Sequence, residues 1–307
     1  MKIIRIIILA LFLLVILGCL VTYIAYVSVN METRPMNETA RKEADGRFVV
    51  LGDGITHYES GGPDTGKTVI LVHGFSVPYY IWGGTFDSLV RSGFHVVRYD
   101  EFGRGYSDRP ELAYNPALYR KQLFDLIHAL QLKTPVSLVA VSFGGAVVSD
   151  FAVHYPGLVD KIVLVDPVFH LRKPPGPAFF ANIGMVFKHE EQATSQLEDF
   201  AHPDRFPGWV DRYKVQMHYK GFRYALISTL LNYPQDSILA NYRELGALHK
   251  NILLIWGRED HTVPFTFSDS LRPLLQPDFL PVEDAGHLPF LEQAGTVCKR
   301  MISFLRS

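Results

Sequence analysis

The stretch "PVSLVAVSFGGAVVSDFAVHY", Pro135–Tyr155, decides the fold. Its first seven residues form an almost continuous apolar run rich in valine, the pattern of a strand buried on both faces. From Gly144 onward the run "GAVVSDFAVHY" reads as a helix. One hydroxyl, Ser142, stands at the junction, with Ala140 and Gly144 two residues away on either side. A sharp strand-to-helix turn brings those two small positions close together. It pushes the residue between them to an exposed, strained position at the helix N-terminus. This is the geometry of a nucleophile elbow, with Ala140 in place of the first glycine. Gly145 and Ala146 let the helix approach the sheet closely. Alone, the pattern also fits an ordinary turn serine, so its partners decide between the readings.

Working outward, "TVILVH" (68–73), "FHVVRY" (94–99), "KIVLVD" (161–166) and "NILLIW" (251–256) are further apolar strands. "RFVVL" and "ITHYES", joined by "GDG", form an opening hairpin, and "DFLPVED" (278–284) is a weaker last strand. With 135–141 this makes eight strands alternating with helical segments. Continuous apolar strands of this kind mean a mostly parallel sheet covered by helices on both faces, an α/β fold. The spacing breaks once. The stretch 169–250, 82 residues containing "KPPGP" and "GFRYALISTLLNY", has no clear buried strand and is expected to be a helical cap. Residues 47–307 thus make one domain with a cap inserted.

Serine is a weak nucleophile at neutral pH and needs a base, an orienting acid and an oxyanion hole. Behind an elbow, the order along the chain is serine, acid, histidine. Asp260 lies in "GREDHTVP", just after the strand "NILLIW", and His287 lies in "DAGHLPFLE", just after the last strand. Each of Ser142, Asp260 and His287 thus follows its own strand. Asp166, ending "KIVLVD", is the rival acid. Glu283 and Asp284 precede the histidine loop and are expected to face solvent. The loop "HGF" at 73–75 turns the backbone N–H of Phe75 toward the serine, and the N–H of Phe143 follows it directly. These two are the expected oxyanion donors. Tyr79, Tyr80, Ile81 and Trp82 are expected in an acyl pocket or the core. His73, His202, His218 and His261 read as structural or surface residues, and no histidine pair has zinc-ligand spacing.

The N-terminus differs in kind. From Ile6 to Val29, 24 residues carry no charge. A helix of that length is about 36 Å long, enough to cross a hydrocarbon core of about 30 Å. The run is longer than the apolar core of a cleaved signal and lacks a small-x-small cleavage site. "ILGC" (16–19) resembles a lipoprotein cleavage site only faintly. Residues 1–29 therefore read as a transmembrane signal anchor. Lys2 and Arg5 precede it, which favours a catalytic domain outside the cytoplasm. Residues 30–46 are polar and read as a linker, with the sequon Asn37-Glu38-Thr39. The remaining composition excludes other classes. A net charge of −1 and no basic stripe argue against nucleic-acid binding. Two cysteines, Cys19 and Cys298, argue against a disulfide framework or cysteine zinc site.

The assembled motifs are "HGF" (73–75), "DEFGRGYSDRP" (100–110), "AVSFGG" (140–145), "GREDHTVP" (257–264) and "AGHLPF" (285–290). On these the chain resembles the α/β-hydrolase superfamily over about residues 47–305. It is most similar to the capped serine branch with monoacylglycerol lipases, small esterases and carbon–carbon bond hydrolases. The resemblance implies a supporting role for Asp100, Gly103, Gly105 and Ser107 in the loops near the site. It departs from the family at Ala140 and at Phe143, where methionine or tryptophan is frequent. Together with the N-terminal span, it implies a membrane-anchored serine hydrolase acting on carboxylic esters, lipid-like ones such as monoacylglycerols included, with no metal and no cofactor. A carbon–carbon bond hydrolase or perhydrolase on the same fold is the alternative among enzymes. A ligand-sensing or scaffold protein that kept the fold is the alternative from another class.

Overall fold

The computed structural model describes residues 2–307. All eight expected strands form: β1 Arg47–Leu51, β2 Gly54–Gly61, β3 Thr68–Val72, β4 His95–Tyr99, β5 Val136–Val141, β6 Val159–Val165, β7 Asn251–Gly257 and β8 Asp278–Val282. They make one sheet in the order β1-β2-β4-β3-β5-β6-β7-β8. The opening hairpin pairs antiparallel, and β2 joins β4 antiparallel. Every other pairing is parallel. Alternate side chains supply the two cores. Ile70, Val72, Leu138 and Ala140 pack on one face, and Val69, Leu71, Val139 and Val141 on the other. This two-sided burial is why β3 and β5 read as almost continuous apolar runs.

The strand order reverses at β3, which has β4 on one side and β5 on the other. The crevice beyond the C-terminal ends of strands at such a point is where α/β sheets place ligands. His73, Gly74 and Ser142 follow β3 and β5 there.

Between β6 and β7 the chain forms five helices: Ala178–Phe187, His189–Thr194, Trp209–Met217, Phe222–Asn232 and Gln235–Ala247. The last is joined to the elbow helix Phe143–His154. Asn241 donates to Asp150 (3.2 Å), and Tyr242 donates to the Val168 carbonyl (2.9 Å). The earlier helices touch the loops beyond the strand ends. Gln216 donates to the Ser76 carbonyl (2.6 Å) and accepts from the Gly105 N–H (3.1 Å).

Asp100, after β4, ties those loops together. Its Oδ2 meets His57 Nδ1 (2.7 Å) and accepts from Tyr106 N–H (2.9 Å), while Oδ1 accepts from Tyr79 N–H (2.8 Å). Ser107 donates to the Asp100 carbonyl (2.6 Å). A Cβ on Gly105, at φ +49°, would stand 1.9 Å from the Asp100 carboxylate. Burial opposes both charges, but their mutual attraction and hydrogen bond win. They hold His57 above its ordinary range and Asp100 below its own. The His57 contribution is full below pH about 6.5 and fades as pH rises through its raised pKa. The Asp100 contribution is full above pH about 4 and fades as pH falls through its lowered pKa. Stabilisation by the pair is therefore greatest between those limits. Asp100→Asn should cost on the order of 3 kcal/mol there, because it leaves a buried imidazolium unpaired. Urea unfolding at pH 6 measures it, and a change under about 0.5 kcal/mol contradicts the assignment.

The helix Lys2–Val29, 28 residues long, is exposed along nearly all its length and is apolar enough to cross a membrane. Residues 30–46, which polarity alone presents as a loose tether, lie against the domain. The physical reason is a set of specific partners. The Glu32 carboxylate accepts from Gly221 N–H (3.0 Å) and Arg223 N–H (2.6 Å).

Candidate active site

Ser142 sits at φ 53°, ψ −121°, a region that a non-glycine residue occupies only under constraint. Its own backbone supplies that constraint. The N–H donates to the Val165 carbonyl (3.0 Å), and the C=O accepts from Gly145 N–H (2.9 Å) and Val168 N–H (3.0 Å). The sequence pattern predicts that the demand for small residues comes from an approach between 140 and 144. The structure locates the crowding at 144 elsewhere: a Cβ on Gly144 would stand 2.5 Å from the His73 carbonyl oxygen and 2.7 Å from that of Val72. The end of β3 is what forces glycine at that position. A Cβ on Gly145 would meet Pro167 at 2.8 Å.

The sheet brings the other two residues to the same place. His287, in the loop after β8, is fixed by its N–H donating to the Asp199 carbonyl (2.8 Å). Its Nδ1 lies 2.7 Å from Asp260 Oδ2, and both residues are buried. Asp260 Oδ1 accepts from Thr262 N–H and Val263 N–H, each at 2.8 Å. An acceptor-only carboxylate at Nδ1 makes that nitrogen the donor and leaves Nε2 free to take a proton. Burial opposes a charged His287. The Asp260 charge and hydrogen bond outweigh it, with help from Asp199, so the imidazole is held above its ordinary range. Ser142 Oγ has no hydrogen-bond partner among the described residues, and it shares a cavity of about 190 Å³ with His287.

Asp166 lies behind Asp260. Its Oδ1 accepts from Gly257 N–H (2.9 Å), while Oδ2 is buried without an assigned hydrogen-bond partner. Burial, then the neighbouring Asp260 charge, push this carboxyl well above the usual range. A ligand atom from each of Asp166, Asp260 and His287 falls within 4.8 Å of the others. Asp260 in this group is already bonded to His287 and to two amide N–H groups.

The N–H groups of Phe75 and Phe143 face no competing acceptor among the described residues. The Phe75 carbonyl accepts from Arg104 Nε (2.8 Å). Arg104 is fully buried and also donates to the Phe102 carbonyl, Tyr119 and Thr229. It clamps the loop that carries the Phe75 donor. Nothing in the spacing of "DEFGRG" marks Arg104 for this task. Gln196 and Asp199, from the segment between β6 and β7, line the cavity as well and carry no motif.

The remaining residues singled out from sequence are placed as follows. Ile81 lines the cavity, and Trp82 stacks on Phe290 at 4.3 Å in the core. His73 is buried. Its Nδ1 donates to the Gly74 carbonyl (2.7 Å) and its Nε2 accepts from Glu101 N–H (2.9 Å), and burial lowers its pKa to about 4. His218 and His261 are exposed, and His202 pairs with Asp284 at the surface. Asp166 and not Asp260 is the acid displaced from the histidine. A larger cavity of about 480 Å³, between residues 43–45, Arg98 and Tyr219, contains neither Ser142 nor His287.

Comparison with known proteins bears on this arrangement. A model of the alpha/beta hydrolase family matches residues 69–300. The 2-hydroxy-6-oxo-2,4-heptadienoate hydrolase of Pseudomonas putida is 27% identical, covering 81% of this chain and 91% of that protein. Lipase 1 of Psychrobacter immobilis is 26% identical, covering 78% of this chain and 77% of the lipase. The crystal structure of a meta-cleavage product hydrolase superposes with a TM-score of 0.70 at 24% identity, over 85% of this chain and 98% of that one.

Proposed function

The chain belongs to the alpha/beta hydrolase family, and from that premise we propose that it is a membrane-anchored serine hydrolase cleaving neutral, lipid-like carboxylic esters. The observation that carries the reading is that His287, paired with the buried Asp260, lines one cavity with Ser142. In this account Ser142 Oγ attacks the acyl carbonyl while His287 Nε2 takes its proton. Asp260 holds the imidazole by Nδ1 and stabilises the cation. The carbonyl oxygen becomes an oxyanion held by the N–H groups of Phe75 and Phe143. Collapse breaks the ester C–O bond, and His287 gives its proton to the departing alcohol. A water, deprotonated by His287, then cleaves the acyl-enzyme and regenerates Ser142.

The similarity to a dienoate hydrolase supports a second reading, carbon–carbon cleavage. That substrate carries a carboxylate. The cavity wall offers it Asp199 and no lysine or arginine, and combines Ser76, Gln196 and Thr262 with the apolar Phe75, Val77, Ile81, Val141 and Leu288. This composition favours an uncharged acyl group. The similarity to a protein named as a lipase, with the apolar N-terminal helix, supports ester substrates that partition into membranes. Rates on p-nitrophenyl esters from acetate to palmitate, then on monoacylglycerols in vesicles, test the reading against the heptadienoate. Cleavage of the dienoate with no ester hydrolysis overturns it.

The pH dependence follows from His287. It must be neutral to accept the Ser142 proton, and its pKa is raised. The acid limb of kcat/KM should therefore lie above pH about 6.5, with activity falling as pH drops through it. A pH–rate profile on a soluble ester measures this, and a limb well below 6.5 contradicts the pairing.

A further inference from the structure

Outside the span, the exposed phenylalanines are Phe179, Phe180 and Phe187, at 66%, 64% and 46% exposure, and all three belong to the single helix Ala178–Phe187. Its sequence, AFFANIGMVF, has no charge and one polar side chain. That side chain, Asn182, is turned inward, where it accepts from Arg223 Nε (2.9 Å) and reaches Tyr26 at 3.5 Å. A soluble surface rarely leaves such a helix bare, because burying each ring in an apolar phase is favourable.

Its place in the fold says what covers it. Tyr26 is in the last turn of the helix Lys2–Val29, and Ala25, Tyr26 and Val29 are half-buried where the cap meets them. A 28-residue helix is about 42 Å long, which exceeds a hydrocarbon core by about 12 Å. Its C-terminal turns, with Tyr23 and Tyr26, therefore fall at the interface, where tyrosines are favoured. Charged residues flank the cap helix in the same way: Arg172 and Lys173 before it and Lys188 after it, all exposed. The junction is also braced. The Glu32 carboxylate caps Gly221 and Arg223 and pairs with the Arg223 guanidinium (3.4 Å). The Arg34 carbonyl accepts from Lys220 N–H (2.8 Å), and Thr33 and Arg34 N–H groups donate to the His218 carbonyl. Within five residues of the end of the span, the chain is bound to the cap.

We propose that the helix Ala178–Phe187 is an interfacial membrane element, lying beside the span with Phe179, Phe180 and Phe187 seated among bilayer acyl chains. The proposal rests on the reading of Lys2–Val29 as a membrane span. It gives the cap a fixed orientation on the bilayer. It also links the lipid surface to the site, because Gln196 and Asp199, nine and twelve residues beyond Phe187, line the Ser142 cavity.

The test uses the full chain in phosphatidylcholine vesicles, in a Cys19→Ala, Cys298→Ala background. Nitroxide labels are placed one at a time at Phe180→Cys, at Leu13→Cys within the span and at Val50→Cys, which is 75% exposed on β1. Hydrolysis of a soluble ester at the parent rate shows that each variant is folded. The ratio of collisions with oxygen to collisions with a water-soluble nickel chelate should be at least about threefold higher at 180 than at 50 for a side chain within the acyl boundary. A ratio at 180 equal to that at 50, with 13 in lipid, overturns this inference and leaves the anchor standing. A watery ratio at both 13 and 180 overturns the anchor and this inference together.

Discussion

Ser142→Ala should lower kcat for ester hydrolysis by on the order of 10⁵-fold while leaving the protein folded. The loss is this large because no neighbouring group replaces the nucleophile, and the residual rate reflects binding and the two oxyanion donors alone. Stability should stay within about 1 kcal/mol of the parent. The Ser142 hydroxyl makes no hydrogen bond that alanine would forfeit, and the turn is held by backbone bonds to Val165, Gly145 and Val168. Steady-state kinetics with thermal unfolding on the same preparation checks both. Near-parent turnover by the folded variant removes Ser142 from the chemistry.

Asp260→Asn should cost on the order of 10⁴-fold in kcat. The amide has one way to sit. Thr262 and Val263 N–H groups both need an acceptor at the Oδ1 position, each at 2.8 Å, so the amide oxygen goes there. The NH₂ then faces His287 Nδ1, 2.7 Å away in the parent. It makes Nδ1 the acceptor, places the ring proton on Nε2 and blocks proton transfer from Ser142. Asp166→Asn should stay within about tenfold of the parent, since His287 bonds Asp260 and not Asp166, and the amide oxygen can still accept from Gly257 N–H. Kinetics of the two variants side by side decide which acid serves the histidine. The reverse ranking transfers the role to Asp166.

The strands were legible because burial on both faces leaves a direct trace: β3 and β5 are almost continuous apolar runs, and Ser142 follows where β5 ends. Asp260 and His287 were legible for the same reason, each following a strand whose end could be read. What sequence did not show depends on contacts between distant segments. Arg104 reaches Phe75 across 29 residues, and His57 reaches Asp100 across 43. Neither spacing follows a helix or strand period. Gln196 and Asp199 come from a region whose helices pack without a motif. The reason for Gly144 was half visible: a small residue was required, but the carbonyls that require it belong to β3. The raised pKa of Asp166 is likewise a property of burial beside Asp260, which no reading of "VLVDPV" alone supplies.

In the proposed mechanism Ser142 is a nucleophile activated by His287 and Asp260. Labelling of the full-length protein with a fluorophosphonate, followed by peptide mass mapping, tests it most directly. One phosphonyl adduct is expected, on Ser142, absent in Ser142→Ala and formed far more slowly in Asp260→Asn. Ester turnover by protein that forms no adduct at Ser142, or an adduct formed equally fast without the Asp260 carboxylate, would contradict it.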